Sequence, residues 1–318
     1  MRQFNVFPGS RPTLPLALAI GVFDGVHLGH QAVLKGALAL ARQRGWIPAV
    51  LAFDPPPEVA LGLPVPPRVG DLDEQAELMA ALGLQRLYRV PFTAALGRMS
   101  PERFAGEILS RRLRCGAVAV GRGFRFGARA RGTVATLKAL GQSLGNDRGF
   151  AVAEAGPVLL GREAVSSTRL RRAIQIGRLD RAEALLGRPW RWRGTVVRGR
   201  RLGRTLGFPT ANLEGGQILP PRGVWVGRVR VLTQGTAGAW WGFAGNLGLR
   251  PTVDLSAEPR PSVELHLLGF KGRLEGRVLE AEFRRRLRPE RRFPSLDALS
   301  AQISRDVRAA ERFLQQAR

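Results

Sequence analysis

The stretch from Leu14 to Arg44, LPLALAIGVFDGVHLGHQAVLKGALALARQR, joins a nearly continuous apolar run, Leu14 to Phe23, to a glycine-rich turn and then to a segment with helical periodicity. In that last segment, Gln31 to Arg44, apolar Val33, Leu34, Ala37, Leu38 and Ala41 recur at the spacing of one helix face. An uninterrupted apolar run is what a strand covered on both faces requires. Strand, turn and helix in this order open a βαβ unit, and a second apolar run, Ile47 to Phe53, closes it.

The alternation continues outward from there. A capped helix is predicted to open at Asp71, with Glu74 three residues on, and Leu84 to Phe92 reads as a strand. Ser100-Pro101 starts a helix, Ala117 to Val120 is a short buried strand, Thr133 to Leu144 a helix and Phe150 to Ala155 a strand. These elements predict an α/β domain with a parallel sheet. After Leu186-Gly187 the pattern changes to short segments separated by Gly, Pro and Asn turns: Trp192 to Val197, Val224 to Val231, Ala239 to Leu247, Ser262 to Leu268 and Arg277 to Phe283. That pattern predicts a compact β-barrel or sandwich. Ser295 is the expected N-cap of a closing helix carrying Leu296, Leu299, Ile303, Val307, Ala310 and Leu314 on one face. The domains are therefore expected at residues 1–186 and 187–318.

A chain of 318 residues holds about two domains at roughly 150 residues each. With 44% hydrophobic residues it is globular rather than disordered. Lys and Arg number 50 against 25 Asp and Glu, a formal charge of +25, and only Lys35, Lys138 and Lys271 among them are lysines. Such a charge raises nucleic acid or an anionic membrane as a partner. Both halves share the excess, with Arg284 to Arg292 the one local cluster and no basic tail, which disfavours nucleic acid. There is no signal-like N-terminus and no apolar run of about 18 residues, and the single Cys115 excludes an internal disulfide. A cytoplasmic protein is expected.

The turn Gly21 to His30 sits where a strand meets a helix, and there unpaired backbone N–H groups and the helix dipole favour an anion. Gly21, Gly25 and Gly29 let a ligand approach the backbone. His27 and His30 can hydrogen-bond phosphate oxygens and stabilise charge developing during displacement at phosphorus, a reaction accelerated by positioning and electrostatics. The plainer reading is that both histidines cap and pack the helix start. Zinc is disfavoured, because the only other histidine is His266.

Ser166, Ser167 and Thr168 open a helix with Arg171 one turn in, a start that can hold phosphates or simply cap. Gly121 to Gly127 is spaced G-x-G-x-x-x-G, which is not the dinucleotide fingerprint. Phe124 and Phe126, beside Arg122 and Arg125, can stack on a flat heterocycle or serve as core aromatics.

In the second half Gly199, Gly203 and Gly207 recur every four residues, a backbone-rich loop able to fold over phosphates, though no G-K-[ST] follows. Thr210 and Asn212 offer neutral oxygens suited to Mg²⁺ that also holds water and phosphates; an ordinary hairpin is the alternative. Period two puts Val263, Leu265 and Leu267 on one strand face and Glu264 with His266 on the other. Glu264 can act as general base to a hydroxyl, or be an exposed strand carboxylate.

The Gly21 to His30 segment resembles the G-x-F-D-G-x-H-x-G-H signature of the FMN adenylyltransferase module of bacterial bifunctional riboflavin kinase/FAD synthetases. Ser166 to Arg171 is similar to that module's S-S-T-x-x-R and Phe124 to Gly127 to its F-R-F-G. G-F-P-T-A-N-L at Gly207 to Leu213, N-L-G-L-R-P-T at Asn246 to Thr252 and V-E-L-H-L-L-G-F at Val263 to Phe270 resemble the riboflavin kinase module. The resemblance implies a Rossmann-like nucleotidyltransferase domain followed by a six-stranded Greek-key barrel with a closing helix.

It also implies two Mg²⁺-dependent steps: riboflavin and ATP to FMN and ADP, then FMN and ATP to FAD and diphosphate. By the same resemblance His27 and His30 stabilise the α-phosphate, Ser167, Thr168 and Arg171 hold the ATP phosphates, and Gly21, Phe23, Asp24 and Gly29 build the nucleotide cradle. Phe53, the Pro55 to Pro57 stretch and Phe126 shape the flavin pocket. In the second domain the resemblance gives Gly199, Gly203, Arg204 and Gly207 to the nucleotide, Thr210 and Asn212 to Mg²⁺-ATP, Glu264 to deprotonation of the flavin 5′-hydroxyl, and Arg250 and Thr252 to the flavin end. The chain departs from the family pattern at Pro56, where F-x-P-H-P has a histidine, at Gly123, and at Gly269 and Arg273 to Gly276. The alternative is a monofunctional riboflavin kinase with an impaired adenylyltransferase domain. Expected partners are small molecules, ATP and flavins; a weak homo-oligomer and flavin-accepting apoproteins are compatible with this reading, a membrane is not.

Overall fold

The computed structural model describes residues 1–9, 11–145, 148–199, 203, 206–233, 236–250 and 260–316. They form two compact units, residues 1–66 with 72–167, and residues 67–71 with 168–318.

The first unit is built on strands β1 (Arg2–Phe4), β2 (Leu16–Gly21), β3 (Ile47–Phe53), β4 (Arg86–Val90), β5 (Cys115–Gly121) and β6 (Ala151–Ala155), all parallel in the order β1-β4-β3-β2-β5-β6. The central strands β2, β3 and β5 are buried on both faces, which is why they read as unbroken apolar runs. Leu16, Leu18 and Ile20 face a core shared with Phe104, Ile108, Leu109 and Leu137. Ala19 faces the opposite core with Val33, Leu34, Ala37 and Leu38 of helix α1 (Leu28–Arg44) and Met79.

The chain leaves β2 toward β3 on one side, and β5 lies on the other. In an open α/β sheet the crevice at such a reversal, beyond the carboxyl ends of the strands, is where ligands bind. Here it lies beyond Gly21 and Gly121.

The structure departs locally from the sequence reading in two helices. Helix α1 begins at Leu28 rather than Gln31 because the His27 ring caps it. The helix predicted from Ser100 does begin there, with Ser100 Oγ accepting from the Arg103 N–H at 3.3 Å. From Phe104 to Arg112 it is wound as a π-helix, which nothing in the residue spacing signals.

After a small hairpin of β7 (Leu159–Leu160) and β8 (Glu163–Ala164), the second unit is built on β9 (Trp192–Val197), β10 (Ala211–Glu214), β11 (Gly223–Thr233), which β12 (Thr236–Ala237) extends, β13 (Trp241–Arg250), β14 (Arg260–Leu267) and β15 (Val278–Arg288), which pair antiparallel in the order β11-β13-β14-β10-β9-β15, and β15 returns to β11. This is a closed six-stranded barrel. The β10–β14 pairing around the β11-β13-β14 meander makes it a Greek key. β10 was absent from the strands read off the sequence: its four residues lie in a Gly/Pro/Thr/Asn-rich stretch that reads as a turn, and the ladders on both its sides make it a strand. The closing helix α9 (Leu296–Gln316) starts where Ser295 Oγ accepts from the Ala298 N–H at 3.2 Å. Val226, Ala244 and Ala310 are buried together where this helix meets the barrel.

Candidate functional site

In the first unit the turn after β2 is strained. Phe23 (φ 57°), Gly25 (φ 75°) and Val26 (φ 43°) all lie in the left-handed region, which costs a non-glycine residue of order 1–3 kcal/mol. Burial holds the strain: Phe23 and Val26 are each 1% exposed. Gln75 Nε2 donates to the Val22 carbonyl at 2.9 Å and Gln31 Nε2 to the Val26 carbonyl at 3.1 Å.

The turn delivers His27 to the start of α1, where its Nδ1 accepts from the His30 N–H at 3.2 Å. That bond requires a lone pair on Nδ1, so the neutral His27 ring carries its proton on Nε2. The two imidazoles stack with centroids 3.6 Å apart, and the Phe23 edge meets His30 at 5.4 Å. His27 therefore does cap the helix, and its stacking with His30 presents two rings at the positive end of the α1 dipole.

The glycines read from the sequence permit this packing. A Cβ on Gly21 would press on the Phe23 ring at 3.2 Å, and one on Gly29 on the His27 ring at 3.1 Å and the Val165 carbonyl at 3.4 Å. The last contact puts the backbone leading into Ser166 and Ser167 beside the histidine turn. Asp24 is half-buried in the same turn. Thr168 and Arg171 belong to the second unit, on the helix Ser167–Gln175, where Arg171 Nε donates to the Pro67 carbonyl at 2.9 Å.

Phe126 is 7% exposed, stacked on Phe124 at 5.7 Å and tilted against Phe104, also at 5.7 Å, as a core aromatic would be. Phe53, half-buried at the end of β3, meets Phe92 edge-on at 5.4 Å and packs against the same core.

In the barrel, strand register makes the site. Asn212 on β10 and Asn246 on β13 both pair with Glu264 on β14, so three polar side chains lie in one row across three adjacent strands. The alternation read from the sequence holds: Val263, Leu265 and Leu267 are buried, while Glu264 and His266 are half-buried on the other face.

Glu264, His266, Asn246 and Thr210 line a cavity of about 740 Å³ whose far wall is α9, through Leu299, Ile303 and Val307. A second cavity, of about 520 Å³, is lined by Asn212, Gly199, Arg198 and Phe270. Thr210 lines both. A Cβ on Gly199 would collide with the Asn212 amide, and one on Gly203 with the Phe208 carbonyl, so the glycine repeat allows close packing against this wall. Gly207 (φ 82°) has the left-handed backbone that favours glycine. Arg204 and Thr252 lie outside the described residues, and Arg250 ends β13.

Sequence reasoning passed over Asn246 and Glu290 as site residues. Asn246 Nδ2 donates to Glu290 Oε1 at 3.1 Å, and both line the larger cavity. Only the β13–β14 register brings Asn246 beside Glu264. The rim is held by Arg288, whose Nη2 donates to Asp306 Oδ2 of α9 at 2.7 Å.

Residues 11–169 match the FAD synthetase family model and residues 186–314 the riboflavin kinase family model. A bifunctional riboflavin kinase/FMN adenylyltransferase of Escherichia coli K12 is 38% identical over 93% of this chain and 92% of that relative. One of Bacillus subtilis is 32% identical over 93% and 92%, and one of Pseudomonas fluorescens 37% over 92% and 90%. A crystal structure described as a macrolide-efflux protein from Streptococcus pneumoniae shares the fold, with a TM-score of 0.82 and 26% identity over 97% of this chain and 98% of that one. Among the described residues no helix is long and apolar enough to cross a membrane. With both family models matched in order and relatives aligned over nearly their whole length, the chain belongs to the bifunctional riboflavin kinase/FMN adenylyltransferase family.

Proposed function

We propose that the protein makes FAD from riboflavin in two ATP-dependent steps, residues 187–318 transferring the γ-phosphoryl group of ATP to the riboflavin 5′-hydroxyl and residues 1–186 transferring AMP from ATP to the FMN so formed. The observation that carries the reading is the wall at Thr210, with Glu264 in the cavity on one side of it and Asn212 in the cavity on the other. A phosphoryl donor in one cavity and an alcohol in the other would meet across that residue.

In the kinase step Glu264 takes the hydroxyl proton as the oxygen attacks the γ-phosphorus, and ADP departs. The larger cavity, walled by Leu299, Ile303 and Val307, suits an isoalloxazine ring. Thr210 and Asn212 fit a Mg²⁺ that arrives on the nucleotide: they offer neutral oxygens, and among the described residues no three His, Cys, Asp or Glu side chains converge for a cation. When bound, the ion neutralises charge on the phosphates.

In the adenylyl step FMN phosphate oxygen attacks the α-phosphorus of ATP and diphosphate leaves. His30 and His27, with the N–H groups opening α1, stabilise the negative charge on the non-bridging α-oxygens. Ser167, Thr168 and Arg171 hold the departing phosphates, and Phe53 with Phe126 borders the flavin. Gly21, Phe23, Asp24 and Gly29 shape the nucleotide cradle, as Gly199, Gly203, Arg204 and Gly207 do in the barrel, where Arg250 and Thr252 serve the flavin end. We place the enzyme in the cytoplasm, where ATP and apoflavoproteins are available.

Purified protein is incubated with riboflavin, ATP and Mg²⁺ and the flavins are separated by chromatography. FMN followed by FAD is expected, and absence of both overturns the reading. FMN supplied directly isolates the second step; FMN formation from riboflavin with no FAD from supplied FMN would reduce the protein to a kinase.

A further inference from the structure

His266 is used by neither step above, yet it stands two residues from Glu264 on the same face of β14 and lines the same cavity. Its Nδ1 lies 2.8 Å from the Pro209 carbonyl oxygen. A carbonyl only accepts, so Nδ1 is the donor and carries the proton in either charge state of the ring. Phe208 meets the ring edge-on with centroids 5.6 Å apart.

The segment held in this way precedes a short strand. β10 begins only at Ala211, and the preceding turn is closed by the Phe208 N–H donating to the Gly203 carbonyl at 2.7 Å. The next residue after Pro209 is Thr210, the wall between the two cavities. His266 thus ties the backbone just before Thr210 to the strand that carries Glu264.

We propose that His266 is a positioning residue for phosphoryl transfer. Through the Pro209 carbonyl it fixes Thr210 relative to Glu264, and so sets the approach of the nucleotide to the alcohol. The inference rests on the riboflavin kinase reading of the barrel. Attack at phosphorus depends on alignment, and a displacement of about 1 Å can cost of order 100-fold in rate. The role predicts an effect on turnover rather than on flavin binding.

The test compares His266→Ala with His266→Asn, whose side-chain amide nitrogen can stand where Nδ1 stands. His266→Ala is expected to lower kinase kcat by about 30- to 100-fold with little change in riboflavin KM. It should also weaken calorimetric binding of Mg²⁺-ADP, leave FAD formation from supplied FMN unchanged and keep the thermal midpoint of the barrel. His266→Asn is expected to restore kcat to within about 5-fold of wild type, since it restores the donor to Pro209. Unchanged kcat in His266→Ala overturns the proposal, and so do equal losses in the two variants or a loss confined to riboflavin KM. Failure of the wild-type protein to phosphorylate riboflavin would overturn the kinase reading instead, and is read in the same assay before any variant is compared.

Discussion

The two units place polar chemistry by opposite means. In the α/β unit a strained turn of consecutive residues, Phe23 to His30, carries both histidines, and burial of Phe23 and Val26 holds its left-handed backbone. In the barrel the site is assembled from residues far apart in sequence, Asn212, Asn246 and Glu264, aligned by strand register. A turn can be read as a motif because its geometry is local. A row across a sheet needs every intervening loop to be right first. The turn accordingly draws on the helix dipole and backbone N–H groups, while the row draws on side chains.

Removing one group from each side tests this contrast. Glu264→Gln should lower FMN formation about 10³-fold while FAD formation from supplied FMN persists, measured by chromatography of each half-reaction. Equal loss of both would break the separation of the sites. The next largest effect falls on stability. Glu282 is fully buried on β15 and receives Arg228 at 2.6 Å, Arg284 at 2.7 Å and Arg191 at 3.1 Å. Glu282→Gln leaves these cations under-compensated and should destabilise the barrel by about 3 kcal/mol in denaturant unfolding.

The same carboxylate predicts a pH dependence. Burial pushes its pKa up, but the hydrogen bond and charge of Arg228, the bond from Arg191 and the charge of Arg284 outweigh burial and hold it below the usual 4.5. Its contribution is complete above about 4.5 and is lost as pH falls through the lower folded value. The thermal midpoint of wild type should therefore fall more steeply below pH 4.5 than that of Glu282→Gln; parallel profiles would show that Glu282 is not the group responsible.

On the α/β side, His30→Ala should cut FAD synthesis about 100-fold, or about 2.7 kcal/mol of barrier, with the kinase intact. The smallest effect sharpens the double use of His27. His27→Ala also loses an N-cap, so about 1 kcal/mol of stability should go with the lost activity, and His27→Asn should recover the stability without the rate. Recovery of both by asparagine would make His27 a cap alone.

Much of the α/β unit was legible because its signals are local. The apolar run of β2, the helical spacing of α1 and the helix start at Ser100-Pro101 each appear where the residues predict them. What was missed depends on partners. Four-residue β10 is a strand because β9 and β14 flank it, and Asn246 joins the site because β13 lies against β14. In the Arg284 to Arg292 cluster, an apparent nucleic-acid patch in one dimension, Arg285, Arg286, Arg291 and Arg292 are exposed, yet most of the arginines are tied to groups of the same chain. Arg284 binds Glu282 and Glu183, Arg286 the Arg222 carbonyl, Arg288 Asp306 and Arg291 Gln302. Arg285 lies over Phe313. These arginines hold the barrel to itself and to α9.

By itself the amino-acid sequence determined that there is a parallel α/β unit, a β-rich unit and a closing helix, and which residue types could do chemistry at the two glycine-rich turns. Periodicity and turn chemistry act over a few residues and need no partner. Only the tertiary structure decided that the barrel closes through β11 and β15, that His27 and His30 stack 3.6 Å apart, and that Thr210 stands between two cavities. Each of these depends on contacts between residues brought together by register and packing, which residue spacing does not encode.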